Sequence, residues 1–177
     1  MAGKHLDAEA RRVVVGVNAS GKSVIFEDAL ATTRLAGAGN TKCDIWRLDR
    51  VPAPLHESDG LNGKVITAPP IAGLVYRVST FPPDSEWDRS IGYSDSGGAL
   101  PGSVKTKTGG IPGLHETHSF DILTVISGEM YLIVEEGETL LRQGDTLVMR
   151  GGKHAWSNRT DKTVTVVTVM IAADPGS

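Results

Sequence analysis

His115, Asp121 and His154 are the residues whose types and setting suit metal chemistry. Two neutral imidazoles and an ionised carboxylate offer nitrogen and oxygen lone pairs without a sulfur donor. Such a set suits a divalent first-row metal: iron(II), zinc, nickel or manganese. All three lie on strand-like segments. From Phe120 to Ile126 the chain alternates in the β manner, with Phe120, Ile122, Thr124 and Ile126 on one face and Asp121, Leu123 and Val125 on the other. Carrying the period backwards puts Ser119, Thr117 and His115 on the face of Asp121, with His118 opposite. A β-bulge between His115 and Asp121 would instead turn His118 inward. A carboxylate flanked by Leu123 and Val125 on an inward face is costly to bury unless it is paired or ligated. Glu116 and His118 are the nearest candidate acid–base groups. The tetrad His115-Glu116-Thr117-His118 is one residue short of His-Glu-x-x-His and lies on a strand, so a zinc-peptidase helix is excluded.

The elements around these residues read as β throughout. After His115, strand-like runs at His115–Ile126, Glu129–Glu135, Leu140–Leu141, Thr146–Met149, His154–Asn158 and Thr163–Ala172 are separated by short turn signals such as Ser127-Gly128 and Gly151-Gly152. Short strands this closely spaced indicate a sandwich or barrel. Val164–Ile171 is apolar on both faces, so one side is expected to meet another sheet or a second subunit, which makes a homodimer the expected assembly. Upstream, Arg12–Val17, Ser23–Glu27, Cys43–Leu48 and Gly73–Thr80 are further strands. Asp28–Asn40 reads as a loop with a helical turn, and Met1–Ala10 as a polar arm with a short turn at Asp7–Arg11. The segment 84–112, rich in Gly, Ser, Asp and Pro, is too long for an idle turn and reads as a loop or a lid, with Trp87 and Tyr93 to anchor it.

Gly16 to Ser23 matches the phosphate-loop pattern Gly-x4-Gly-Lys-Ser residue for residue. That motif requires a helix after it, so that backbone N–H groups face the phosphates. Val24-Ile25-Phe26 follows instead, and the stretch reads as a hairpin turn. The 177 residues suit one domain with a real core, and 40% hydrophobic residues are normal for a globular chain. A net charge of −3 without a long basic run gives no attraction for nucleic acid. The single Cys43 excludes an internal disulfide and fits a reducing compartment. There is no apolar leader and no run of membrane-spanning length, so a cytoplasmic protein with no membrane partner is expected.

The stretch from Gly113 to Asn158 resembles the cupin family. Gly151-Gly152-Lys153-His154-Ala155-Trp156-Ser157-Asn158 fits the family's second motif, with Met149 where Pro is usual. Seven residues before Gly128, Asp121 stands at the Glu position of the first motif; His115 falls on its first His, and Thr117 stands where its second His is expected. The run looks like a cupin subgroup reading His-x-Thr-x-Ser/Thr-x-Asp. The resemblance implies an all-β, double-stranded β-helix (jelly roll) with extra N-terminal strands. Residues 1–83 would form N-terminal strands and connections, and 113–172 the core motifs. It also implies that Arg77, on the strand before the first motif, projects toward the pocket. Trp156 shares the face of His154, so it lines the pocket or belongs to the core, and Thr117 leaves room for water or substrate. Asn158 is expected to fix the turn before the last strand. Two functions follow. One is a metal-dependent enzyme on a small organic molecule, aromatic or polyketide-like, in catabolic or secondary metabolism. The other is a ligand-binding or sensory cupin without metal.

Overall fold

The computed structural model describes residues 3–95 and 110–174. A two-stranded ribbon joins β1 (Arg11–Val17) and β2 (Ser23–Leu30). A six-stranded antiparallel sheet runs in the order β3 (Arg34–Ala36), β4 (Thr41–Leu48), β5 (Leu74–Phe81), β11 (Val164–Ala172), β6 (Ser119–Ser127), β9 (Thr146–Arg150). A three-stranded sheet runs β10 (His154–Ser157), β7 (Glu129–Val134), β8 (Gly137–Arg142). The two larger sheets pack against each other as the jelly roll of a double-stranded β-helix, with β1 to β3 as additional N-terminal strands.

The alternation of β6 places its side chains as its period requires: Ser119, Asp121, Leu123 and Val125 are buried, while Phe120, Ile122 and Ile126 are exposed. The inward residues of both sheets meet in one core of Phe81, Leu123, Val125, Met130, Leu132, Leu141, Met149, Trp156, Val164 and Val166. Each fully buried aliphatic side chain there contributes about 1.5–3 kcal/mol relative to exposure. The turn from β6 to β7 requires glycine. Gly128 has φ +78°, and a Cβ there would lie 3.0 Å from the Thr163 carbonyl oxygen and 3.0 Å from Val164 Cγ2.

Gly16–Ser23 is a hairpin turn, as its sequence indicates, in which Asn18 Oδ1 accepts from the N–H groups of Ser20 and Lys22, both at 3.0 Å. Several other elements differ from the sequence reading. The stretch from Asp28 to Asn40 holds no helical turn: β2 runs on to Leu30 and β3 pairs with β4. The ribbon of β1 and β2 is wet on much of both faces, so its residues need not alternate, and the polar Glu27 and Asp28 belong to strand, Asp28 closing an ion pair with Arg11 at 2.7 Å. The N-terminal turn lies at Lys4–Asp7 rather than Asp7–Arg11, because buried His5 is tied to the Gly37 carbonyl at 2.9 Å. β6 starts at Ser119, and His115 stands apart from it in an isolated bridge. β11 lies inside the six-stranded sheet between β5 and β6, with Val164, Val166 and Met170 buried and its other residues partly exposed.

Of the segment 84–112, residues 96–109 lie outside the described residues. Its described first part is bound to β10. Asp84 accepts from Ser157 Oγ (2.6 Å) and the Asn158 N–H (3.0 Å), and Tyr93 Oη donates to the Trp156 carbonyl (2.8 Å). Tyr93 meets Phe81 edge-on at 5.6 Å and Trp87 at 5.0 Å.

Candidate functional site

Backbone pairing brings the two histidines together. The N–H of His115 donates to the His154 carbonyl (2.9 Å), and the N–H of His154 donates back to the His115 carbonyl (2.8 Å). Two antiparallel residues that exchange both hydrogen bonds carry their side chains on the same side, and the imidazole centroids lie 4.2 Å apart. Each ring is fixed in the same way. His115 Nδ1 lies 2.8 Å from the Gly113 carbonyl, and His154 Nδ1 lies 2.9 Å from the Gly152 carbonyl. A carbonyl only accepts, so each Nδ1 carries the proton and each Nε2 keeps its lone pair. Burial lowers both imidazoles, His115 below its ordinary value and His154 to about 3, with the neighbouring imidazole adding to the effect on His154. Both rings are therefore neutral at neutral pH.

The floor of the site is set by strand register. Across the six-stranded sheet the inward residues form rows: Lys42, Ser79, Val166 and Val125; then Asp44, Arg77, Thr168 and Leu123; then Val75, Met170, Asp121 and Met149. Arg77 and Asp44 are register partners. Arg77 Nε donates to Asp44 Oδ1 (2.5 Å) and Nη2 to Asp44 Oδ2 (3.1 Å), and both side chains are nearly inaccessible. On β6, Ser119 Oγ bridges Asp121 Oδ1 (2.6 Å) and Thr117 Oγ1 (2.9 Å). Burial holds the Asp121 carboxyl above its ordinary value, against the opposing pull of the Ser119 hydroxyl and the Arg77 charge.

These residues enclose a cavity of about 310 Å³. His115, Glu116, Thr117, Asp121, Arg77, His154 and Trp156 all line it. Trp156 also belongs to the core and meets His154 edge-on at 5.4 Å. His118 is exposed and does not line the cavity, standing between buried Thr117 and buried Ser119 with its side chain on the opposite side. Asp121 shares the cavity with the imidazoles, yet among the described residues no three His, Cys, Asp or Glu side chains stand close enough to share a metal ion. The donor chemistry of the imidazole pair suits a divalent metal, with both Nε2 lone pairs free and both Nδ1 atoms anchored. Asn158 fixes its turn, donating from Nδ2 to the Lys162 carbonyl (2.7 Å) and accepting at Oδ1 from the Thr160 N–H (3.1 Å). Cys43 is buried, and burial pushes its thiol up, away from nucleophilic character.

The sequence reading missed Lys42, Asp44 and the sulfur wall of Met149 and Met170. Lys42 and Asp44 follow the strand period of Thr41–Leu48, which was the one available signal for their sharing a face.

Residues 103–170 match the family model described as the cupin domain. Over those residues the chain is similar to the cupin domain, in keeping with the β architecture around the site. The chain is 32% identical over 114 residues to the phomopsin biosynthesis cluster protein C' of Diaporthe leptostromiformis, covering 58% of the chain and 60% of the relative. It is 34% identical over 113 residues to the oryzines biosynthesis cluster protein J of Aspergillus oryzae, covering 57% and 63%. A cupin-domain-containing oxidoreductase of Hypocrea virens matches at 28% over 99 residues, covering 51% of each. The chain thus spans about three fifths of the length of the first two relatives and half of the third. Among the described residues no helix is long and apolar enough to cross a membrane.

Proposed function

We propose that residues 1–177 act as one cupin domain, an enzyme that binds a small organic molecule in the cavity beside a divalent metal held by His115 and His154. The observation that carries this reading is the matched pair of imidazoles, each anchored at Nδ1 and each with a free Nε2. Asp121 lines the same cavity and would add an oxygen donor only with a shift of its side chain toward the imidazole pair. Iron(II), zinc, nickel or manganese would supply Lewis acidity or, for iron, dioxygen activation. The chain's own residues do the rest. Trp156, Met149 and Phe81 form an apolar wall that excludes water from a bound molecule. Thr117, where a further imidazole would otherwise stand, contacts the substrate's oxygen atoms. Arg77, held rigid by Asp44, fixes the positive end of the floor. Glu116 lines the cavity next to His115 and is the acid–base group this reading favours, while the exposed His118 has no part in it. The relatives named for biosynthesis clusters support a substrate from secondary metabolism, aromatic or polyketide-like in kind.

Exposed Phe120, Ile122 and Ile126 on β6, with Val148 on β9 and Tyr76 on β5, form an apolar outer face on the six-stranded sheet. A second copy packed there completes a homodimer, which sedimentation equilibrium tests: a monomer at micromolar concentration refutes it. A cytoplasmic, reducing setting keeps Cys43 a thiol.

The second reading is a ligand-binding cupin without metal, favoured by the absence of a three-ligand cluster among the described residues. Elemental analysis of the purified protein and of a His154→Gln variant separates the two. One transition metal per chain, lost in the variant with its β circular-dichroism spectrum intact, supports the enzyme. No metal in either after reconstitution with each of the four ions refutes it and leaves the binder.

A further inference from the structure

Lys42 is a cation placed inside the barrel without a partner among the described residues. It sits on β4 opposite Ser79 and on the inward face with Asp44, and it lines the cavity with His115, Thr117 and Asp121. Among the described residues its ammonium has no hydrogen bond or ion pair. The carboxylate nearest in register, Asp44, has both oxygens engaged by Arg77 at 2.5 and 3.1 Å. A lysine in such a place is unusual, because a buried ammonium is costly unless paired.

We propose that the Lys42 ε-amine is the cavity's nucleophile toward carbonyl compounds, and that the cavity takes a small aldehyde or ketone, held as an imine. The proposal deepens the small-molecule reading above and rests on it. Several charged or titratable groups face the amine: Asp44 on its own strand, Arg77 on β5, His115 ahead of β6 and Asp121 on β6. Burial and the Arg77 charge lower the ammonium from 10.5 to about 7, and Asp44 opposes them. A desolvated lysine beside a second cation presents a lone pair at neutral pH, which is how an amine becomes a nucleophile. Arg77 gives Nε and Nη2 to Asp44, Nη2 also to the Ile66 carbonyl at 2.5 Å, and Nη1 to Met170 Sδ at 3.7 Å, so its charge is already engaged within the protein. In the reaction the amine nitrogen forms a bond to the carbonyl carbon. The carbon–oxygen double bond breaks, and the oxygen leaves as water with both amine protons. The resulting imine takes one proton from solvent, and hydrolysis restores the amine.

The test uses the full chain with propanal or benzaldehyde and cyanoborohydride at about pH 7, read by intact mass and by peptide mapping. The expected result is one reduced adduct per chain, on Lys42, formed at least about tenfold faster than on exposed Lys22 or Lys162, since an ordinary lysine is almost wholly protonated there. A Lys42→Met variant loses that adduct, and its circular-dichroism spectrum reports folding. Should the variant not fold, the wild-type peptide map decides alone. Trace acetylation provides a second measurement. Acetylation of Lys42 ahead of other lysines without imine capture overturns the carbonyl assignment, as does labelling spread over surface lysines. The same experiment after chelation separates this proposal from the metal reading: Lys42 capture without metal stands whatever elemental analysis finds.

Discussion

Replacing Lys42 with methionine should make the protein more stable at neutral pH, and by an amount that depends on pH. The ammonium is held at about 7 in the fold against 10.5 in the unfolded chain. Between those values the unfolded state binds more protons, so wild-type stability rises with pH across that window. Below about pH 7 the charged form is carried into the cavity at full cost. The lowering corresponds to about 5 kcal/mol at 1.36 kcal/mol per unit, and since Lys42 is only half-buried, a gain of about 2–4 kcal/mol is the realistic expectation for Lys42→Met at pH 6. Methionine keeps the length of the side chain and adds no charge, so the core is not opened. Urea unfolding of both proteins between about pH 6 and pH 9.5 measures the difference from midpoint and slope. The variant's advantage should shrink by up to about 1.4 kcal/mol per pH unit as pH rises through this range. Burial raises Tyr93, which would titrate only above the range and so does not contribute. Stability curves that run parallel for the two proteins would refute the placement of a desolvated ammonium in the cavity.

Three further outcomes follow from the same geometry. Arg77→Met leaves Asp44 buried and unpaired and should cost about 3–5 kcal/mol, whereas Arg77→Met with Asp44→Leu should recover most of it; a double variant as unstable as the single in urea unfolding contradicts this account. Gly128→Ala should cost about 1–3 kcal/mol in thermal unfolding, because φ is +78° and the new Cβ presses on the Thr163 carbonyl and Val164; a neutral result shows that the turn relaxes. His154, neutral in the fold with its value at about 3 against 6.5, binds fewer protons than in the unfolded chain, so its contribution is present above pH 6.5 and is lost as pH falls toward 3. His154→Gln should flatten that acid limb, and an unchanged acid midpoint refutes the burial.

What the sequence by itself determined is local. The period of two in Phe120–Ile126 settled which face of β6 is inside, and the required glycine settled where the chain turns, because both depend only on neighbouring residues. The family motifs marked His115, Asp121 and His154, and a single cavity lines all three. What only the tertiary structure decided is which strand lies beside which. The two-way hydrogen-bond exchange between His115 and His154 joins residues far apart in the chain and brings their rings to 4.2 Å. Arg77 meets Asp44, and Lys42 stands beside them with no partner among the described residues, because β4 and β5 align in one register and not the next; a slip of one residue would turn every one of those side chains outward. His118 faces water between buried Thr117 and Ser119, a choice that the sequence left open. Side-chain period follows from the chain's own geometry, whereas register is fixed by packing across distant strands, and only the folded barrel brings those strands together.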